Sequence, residues 1–211
     1  MCVDKNKIFT VYVGAEDSLF NILPSKSNTK KFEILFYGSF LPLHGSEIII
    51  KAAKFFGKNN DIRWILLGTG PNLNKCKVLA KDCPNIFFED KIEYTKLASR
   101  IKKADLLLGI FGNSNKAANV IPNKVFQSLA SGKTVITRIS NAYPKELLNL
   151  NNGIIFIEPN NPKALYKAVL KITEDKRFLR RSNAQAKIIY DTYFSEKVIR
   201  DQLKKILEFS L

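Results

Sequence analysis

Apolar residues fall in short runs, each closed by glycine, proline or a polar turn. Residues 32–37 (FEILFY), 62–67 (IRWILL), 86–88, 106–110, 134–137 and 153–157 read as buried strands on this pattern. Residues 8–13 (IFTVYV) alternate apolar with polar and predict a further short strand, ended by Gly14. Residues 19–24 continue as an extended apolar segment, and 25–31 (SKSNTKK) read as a polar linker. Between the strands, apolar positions recur at helical spacing over 48–56, 73–81, 94–103, 144–148, 162–173, 176–190 and 196–207. Ser46 is the expected N-cap of the first of these.

The stretch 111–137 (FGNSNKAANVIPNKVFQSLASGKTVIT) is central. A strand runs into a polar loop, and a helix starts near Pro122, since proline suits the first helical position. Val125, Phe126, Leu129 and Ala130 give that helix its apolar face, and Ser131-Gly132 ends it before the next strand. Strands alternate with helices along the chain, which predicts an α/β fold: a Rossmann-like parallel sheet with helices on both faces. Right-handed crossovers then gather the loops 38–45, 68–71, 89–91, 109–120 and 138–144 along one edge, where such folds bind ligands. The expected organisation is a lead-in strand and linker over 1–31, the domain itself over 32–194 and a C-terminal helix over 195–211.

Composition narrows the partners. With 34 basic and 19 acidic residues the 211-residue chain carries a net charge of +15. That favours an anionic partner, whether nucleotide, nucleic acid or acidic membrane surface, although lysines spread along the chain also suit a solvated surface. Cys2, Cys76 and Cys83 lack metal or redox spacing, which fits a reducing compartment. No stretch approaches the length of a membrane span, and the N-terminus lacks the apolar core of a signal peptide. A cytoplasmic protein is expected, with contact at the inner face of the membrane as a further option.

Candidate chemistry sits at the loops. A helix N-terminus following a strand offers unpaired N–H groups to phosphate, and Lys116 and Lys124 flank that start. Gly68-Thr69-Gly70 allows close backbone approach to a ligand, or is a tight strand-to-helix turn; Leu73 stands where a dinucleotide fingerprint needs its third glycine. His44, the sole histidine, can donate to phosphate or act in acid–base chemistry, or be an ordinary loop residue. Ser39 beside Gly38 reads as a phosphate ligand or as turn chemistry. Glu146 suits the start of a helix. Lys176, Arg177, Arg180 and Arg181 suit acidic lipid heads or a solvated helix face. There is no metal-ligand cluster, P-loop, nucleophile elbow or nucleic-acid motif.

From about residue 8 to 207 the chain resembles the C-terminal, nucleotide-sugar-binding half of GT-B glycosyltransferases, most closely the retaining group called group 1 or family four. The resemblance rests on Val13-Gly14 through Phe20, FYGSFLPLHG at 36–45, LLGTGP at 66–71 and ADLLLGIFG at 104–112. Its strongest piece is KAANVIPNKVFQSLASGKTVIT at 116–137, followed by Pro144 and Glu146. It implies a donor-binding domain that helps move a sugar from a nucleoside diphosphate sugar to a glycan or lipid-linked acceptor, without metal or other cofactor. Gly38, Ser39, His44 and Gly45 would approach the diphosphate, and Gly68 and Gly70 would let the chain pass the nucleotide. Lys91 and Ile92 would meet the base through their backbone, and the turn after Val120 would bind phosphate oxygens.

The chain departs from the family at several positions. Many relatives carry Arg and Lys where Ser39 and His44 stand, which leaves Lys116 and Lys124 as the candidate cations. The paired glutamates of the family, for sugar and ribose hydroxyls, correspond to Asn119 and Gln127, both neutral amides. The acceptor domain would precede residue 1, as part of a longer protein or as a separate chain. A truncated, non-catalytic nucleotide-sugar-binding module is the alternative. Nucleic-acid binding by charge alone is the third and weakest reading, and the expectation is no nucleic acid.

Overall fold

The computed structural model describes residues 7–21, 31–59, 61–148 and 153–210. Among them six parallel strands form one sheet: β1 (Phe32–Gly38), β2 (Ile62–Gly68), β3 (Ile86–Glu89), β4 (Leu106–Leu108), β5 (Val135–Arg138) and β6 (Ile154–Ile157). Their order is β3-β2-β1-β4-β5-β6, so the direction of winding reverses between β1 and β4. Ligands of doubly wound sheets bind at such a point, outside the carboxyl ends of the strands.

The strand runs are continuously apolar because both faces are covered. On one face Ile34, Phe36, Trp64 and Leu66 pack with α2 (Ser46–Lys54), α3 (Leu73–Leu79) and α8 (Pro162–Glu174). On the other, Leu35, Tyr37, Ile65 and Leu67 meet α4 (Tyr94–Lys103), α6 (Asn123–Ala130) and α9 (Lys176–Tyr193). The remaining helices are short or peripheral: α1 (Asp17–Phe20), α5 (Asn115–Ala118), α7 (Lys145–Leu148) and α10 (Glu196–Ser210). Arg100 fixes α4 to the sheet, donating to Glu33 at 2.7 Å and to Glu89 at 2.7 and 3.0 Å.

Three local expectations are corrected. Residues 8–13 form no strand: no neighbouring strand offers a ladder, Ile8 and Val13 face solvent, and the segment is held by Tyr12 against Phe194. Leu19 and Phe20 are helical rather than extended, because Phe20 plugs a fully buried site where Ser131 donates to its carbonyl. Residues 22–24, like the expected linker apart from Lys31, lie outside the described residues. Ser46 is the first helical residue of α2 rather than its cap. Left-handed Gly45 (φ 63°) holds the cap position, and the Ser46 hydroxyl accepts from Cys76 Sγ.

β1 and β2 run in register to their last residues, pairing Gly38 with Gly68. A side chain on β2's end would collide with backbone: a Cβ on Gly68 would sit 2.1 Å from the Gly38 carbonyl oxygen, and one on Gly70, two residues on, 1.6 Å from that of Ser39. Phe40, fully buried, is driven to a positive φ of 46° just beyond. This crowding keeps the loops after β1 and β2 thin and their backbones exposed to a ligand. Gly70→Ala is therefore expected to destabilise the chain by about 3 kcal/mol or more. Gly57→Ala, at a φ of 59° with open space around it, should cost only about 1–2 kcal/mol. Thermal unfolding of both variants checks the contrast.

Candidate functional site

The loop after β1 and the loop after β4 close on each other at the switch point. Phe111 N–H donates to the His44 carbonyl at 3.0 Å and Gly112 N–H to that of Leu43 at 3.2 Å. A Cβ on Gly45 would lie 2.7 Å from Gly112 N, so only glycine lets the loops meet. Arg138, at the end of β5, donates to the Gly112 carbonyl at 2.7 Å and holds the second loop in place.

Lys124 lies behind this junction. It is the second residue of α6, which begins at Asn123 with Pro122 as its cap residue, one position later than a proline-first helix would. The side chain is only 6 % exposed, and its Nζ has no hydrogen-bond partner. Its compensation is aromatic: the Phe36 ring lies 4.2 Å away and the Tyr37 ring 5.9 Å. Such a contact supplies about 2 kcal/mol at best, whereas desolvating an ammonium costs several kcal/mol. Burial accordingly lowers the Lys124 pKa from 10.5 to about 7. His44 approaches from the turn at Pro42–His44. Its Nδ1 is also buried without a partner, and burial, helped by the Lys124 charge, holds its pKa down to about 3. Both groups converge on Gly38: a Cβ there would lie 2.9 Å from Lys124 Nζ and 3.1 Å from His44 Cε1.

A cavity of about 260 Å³ opens beside this cluster, lined by Gly38, Ser39, Gly68, Thr69, Lys91 and Ile92, with Tyr37 and Tyr94 as aromatic walls. It lies just below the usual range for small-molecule sites, about 300–1,000 Å³, and so suits part of a ligand rather than the whole. A larger groove, about 980 Å³, includes Phe32, Ile62, Asp105, Lys176 and Arg180. It sits at the amino ends of the strands, the edge away from the switch point.

Gly38, Ser39, Gly68, Lys91 and Ile92 thus share one cavity; His44 and Lys124 meet at Gly38 on its edge, and Gly45 packs against Phe111 and Gly112. Gly70 stands behind Ser39. Lys116 is exposed on α5, a single helical turn that the sequence pattern missed and that packs on the 42–44 turn. Val120 is half-buried between α5 and α6. The two amides do not share a pocket. Asn119 is exposed, donates to the Asn115 carbonyl at 2.9 Å, and borders a separate groove with residues 10–13 and 141–143. Gln127 is buried, and its Oε1 accepts the Tyr37 hydroxyl at 2.9 Å. Glu146 and the basic residues Lys176, Arg177, Arg180 and Arg181 are exposed and far along the chain from the cluster.

Sequence reading missed Tyr37, Phe36, Tyr94 and Arg138. Tyr37 carried a signal: it is the polar-tipped last side chain of an apolar strand, immediately before the glycine that opens the site. Its hydroxyl also reaches the Lys124 carbonyl at 3.3 Å, and burial pushes its pKa up.

The buried lysine has a consequence for stability. In the unfolded chain its pKa returns to 10.5, so between pH 7 and about 10 the unfolded state binds the extra proton and stability rises with pH. Lys124→Met should raise the stability of the ligand-free chain at pH 7 by about 1–3 kcal/mol and flatten that rise. Denaturant titrations at pH 7 and 9 check this; a destabilised variant would contradict it.

The sequence profile described as Glycosyl transferases group 1 matches residues 20–191. No curated protein matches the chain in sequence. Among solved structures, HepE from Anabaena in complex with UDP superimposes with a TM-score of 0.78 at 16% identity, covering 95% of this chain and 57% of that one. A TarM variant from S. aureus, in complex with fondaparinux, alpha-GlcNAc-glycerol and UDP, gives 0.75 at 13% identity, covering 94% and 39%. The C-terminal domain of LpcC, a group 1 family protein from Francisella tularensis, gives 0.67 at 16% identity, covering 84% of this chain and 95% of that domain. The chain therefore spans well under two thirds of the HepE and TarM chains and nearly all of an isolated C-terminal domain. With a matching profile over most of its length and a GT-B-type Rossmann-like sheet, the chain belongs to the group 1 glycosyl transferases.

Proposed function

We propose that residues 32–194 form the nucleotide-sugar-binding domain of a retaining glycosyltransferase that passes a sugar from a nucleoside diphosphate sugar to a glycan or lipid-linked acceptor. The observation that carries this reading is Lys124 Nζ, buried and unpartnered beside His44 at the glycine-ended strands. A desolvated cation without a counter-ion is costly, and a diphosphate at Gly38 supplies the missing charge. The nucleoside then extends over Gly68 toward Lys91 and Ile92, between Tyr37 and Tyr94.

In the reaction the bond between the anomeric carbon and the diphosphate oxygen breaks with its electron pair staying on the leaving group, while an acceptor hydroxyl oxygen bonds to that carbon and gives up its proton to the departing diphosphate or to solvent. Lys124, aided by Lys116 at the rim and the N–H groups at the start of α6, stabilises that charge. On this reading no metal is required. The acceptor and the groups that hold it belong to a domain or chain outside these residues. UDP, the ligand bound by HepE and TarM, is the first nucleotide to test. Cytoplasmic placement fits the donor chemistry, with basic α9 residues able to meet anionic lipid. Among the described residues no helix is long and apolar enough to cross a membrane.

A second reading, a binding module without turnover, is favoured by the two amides. Neither side chain is a carboxylate, and each is already engaged: Gln127 Oε1 accepts from Tyr37, and Asn119 donates to the Asn115 carbonyl. Transfer assays with the acceptor domain supplied distinguish the readings. Under the first, transfer occurs and Lys124→Ala lowers it about 100-fold or more, the scale of losing a preorganised charge contact. Transfer unaffected by the substitution would remove Lys124 from the site, and binding without any transfer would favour the second reading.

A further inference from the structure

The cluster at Gly38 contains two basic side chains and no acid. Phe36 and Tyr37 approach Lys124 Nζ from β1, and His44 from the turn after it. The Tyr37 hydroxyl is committed to Gln127. On α6 itself the neighbours one turn on, Gln127 and Ser128, are neutral. The ion pairs among the described residues do not include Lys124, and burial is the single cause of its depressed basicity. His44 cannot help by ionising, because the same burial and the same ammonium hold it neutral. The ligand-free cluster is therefore short of protons relative to ordinary lysine, and nothing among the described residues supplies the charge that would restore one.

We infer that capture of a nucleoside diphosphate is coupled to proton uptake, the proton landing on Lys124 Nζ while His44 stays neutral beside it. This rests on the donor-binding reading above and adds its regulation. The balance is simple: neutral amine, one proton from solvent and the fully ionised diphosphate give an ammonium–diphosphate pair, with no covalent change. The donor completes the cation that stabilises its own leaving group. With half-protonation near pH 7, the free chain carries about half a proton on Lys124 at pH 7 and only a few hundredths at pH 8.5. Uptake on binding is then a fraction of a proton at pH 7, reduced by the little that the terminal phosphate of UDP sheds there, and nearly 1 at pH 8.5. Affinity weakens about tenfold per pH unit above pH 8. An uncharged nucleoside filling the same cavity brings no charge and takes up no proton.

The test is calorimetric titration of the full chain with UDP at pH 7 and 8.5, each in two non-phosphate buffers of different ionisation enthalpy. The dependence of the observed heat on buffer counts the protons. Fractional uptake at pH 7 rising to near 1 at pH 8.5, absent with uridine, is the expected result. Saturable UDP binding with no uptake at either pH would overturn the proton coupling and leave the donor-binding reading standing. No saturable binding would overturn both. Lys124→Met serves as a second readout, because a proton still taken up by that variant would place it on another group and overturn the assignment.

Discussion

An ammonium held out of water without a counter-ion organises this end of the molecule. Lys124 is carried there by α6, whose Val125, Phe126, Leu129 and Ala130 belong to the apolar core. It can be buried because Phe36 presents a ring face and Gly38 leaves room where any other residue would strike Nζ. Cost and function are two views of one arrangement. A lysine placed for packing alone would be replaced with profit by methionine, whereas one placed for a diphosphate must wait uncompensated until the ligand arrives.

The sheet makes the waiting position possible. Parallel strands that end together at Gly38 and Gly68 bring two backbone edges into contact, and the reversal of winding between β1 and β4 leaves a crevice above them. Across that crevice the loops after β1 and β4 are tied by backbone bonds and by Arg138. Preorganisation of this kind would spare the proposed transfer the work of reorienting dipoles as charge develops on its leaving group.

Much of this was legible in the sequence, and the exceptions share a physical cause. Strands buried on both faces write themselves as apolar runs, so β1, β2 and β4 stand out, and α4 shows its full length through its apolar stripe. The glycines closing the strands and the lysines flanking α6 pointed to the edge where the site lies. Period and composition do not report what lies across a gap. Residues 8–13 alternate like a strand but have no ladder to join, and Ser46 looks like a cap although left-handed Gly45 makes the turn. The same limit separates the two lysines, equal in the sequence: one is solvated on α5 and the other enclosed. Likewise Asn119 and Gln127, eight apart as a family pair would be, face different surroundings, because Tyr37 engages one and the end of α5 engages the other.

The most direct measurement is a crystal structure of the chain soaked with UDP. The account predicts diphosphate oxygens within hydrogen-bond distance of Lys124 Nζ and close to His44, with the nucleoside in the cavity between Tyr37 and Tyr94. Density for UDP in the groove at Phe32 and Asp105, with Lys124 still unpartnered, would contradict it.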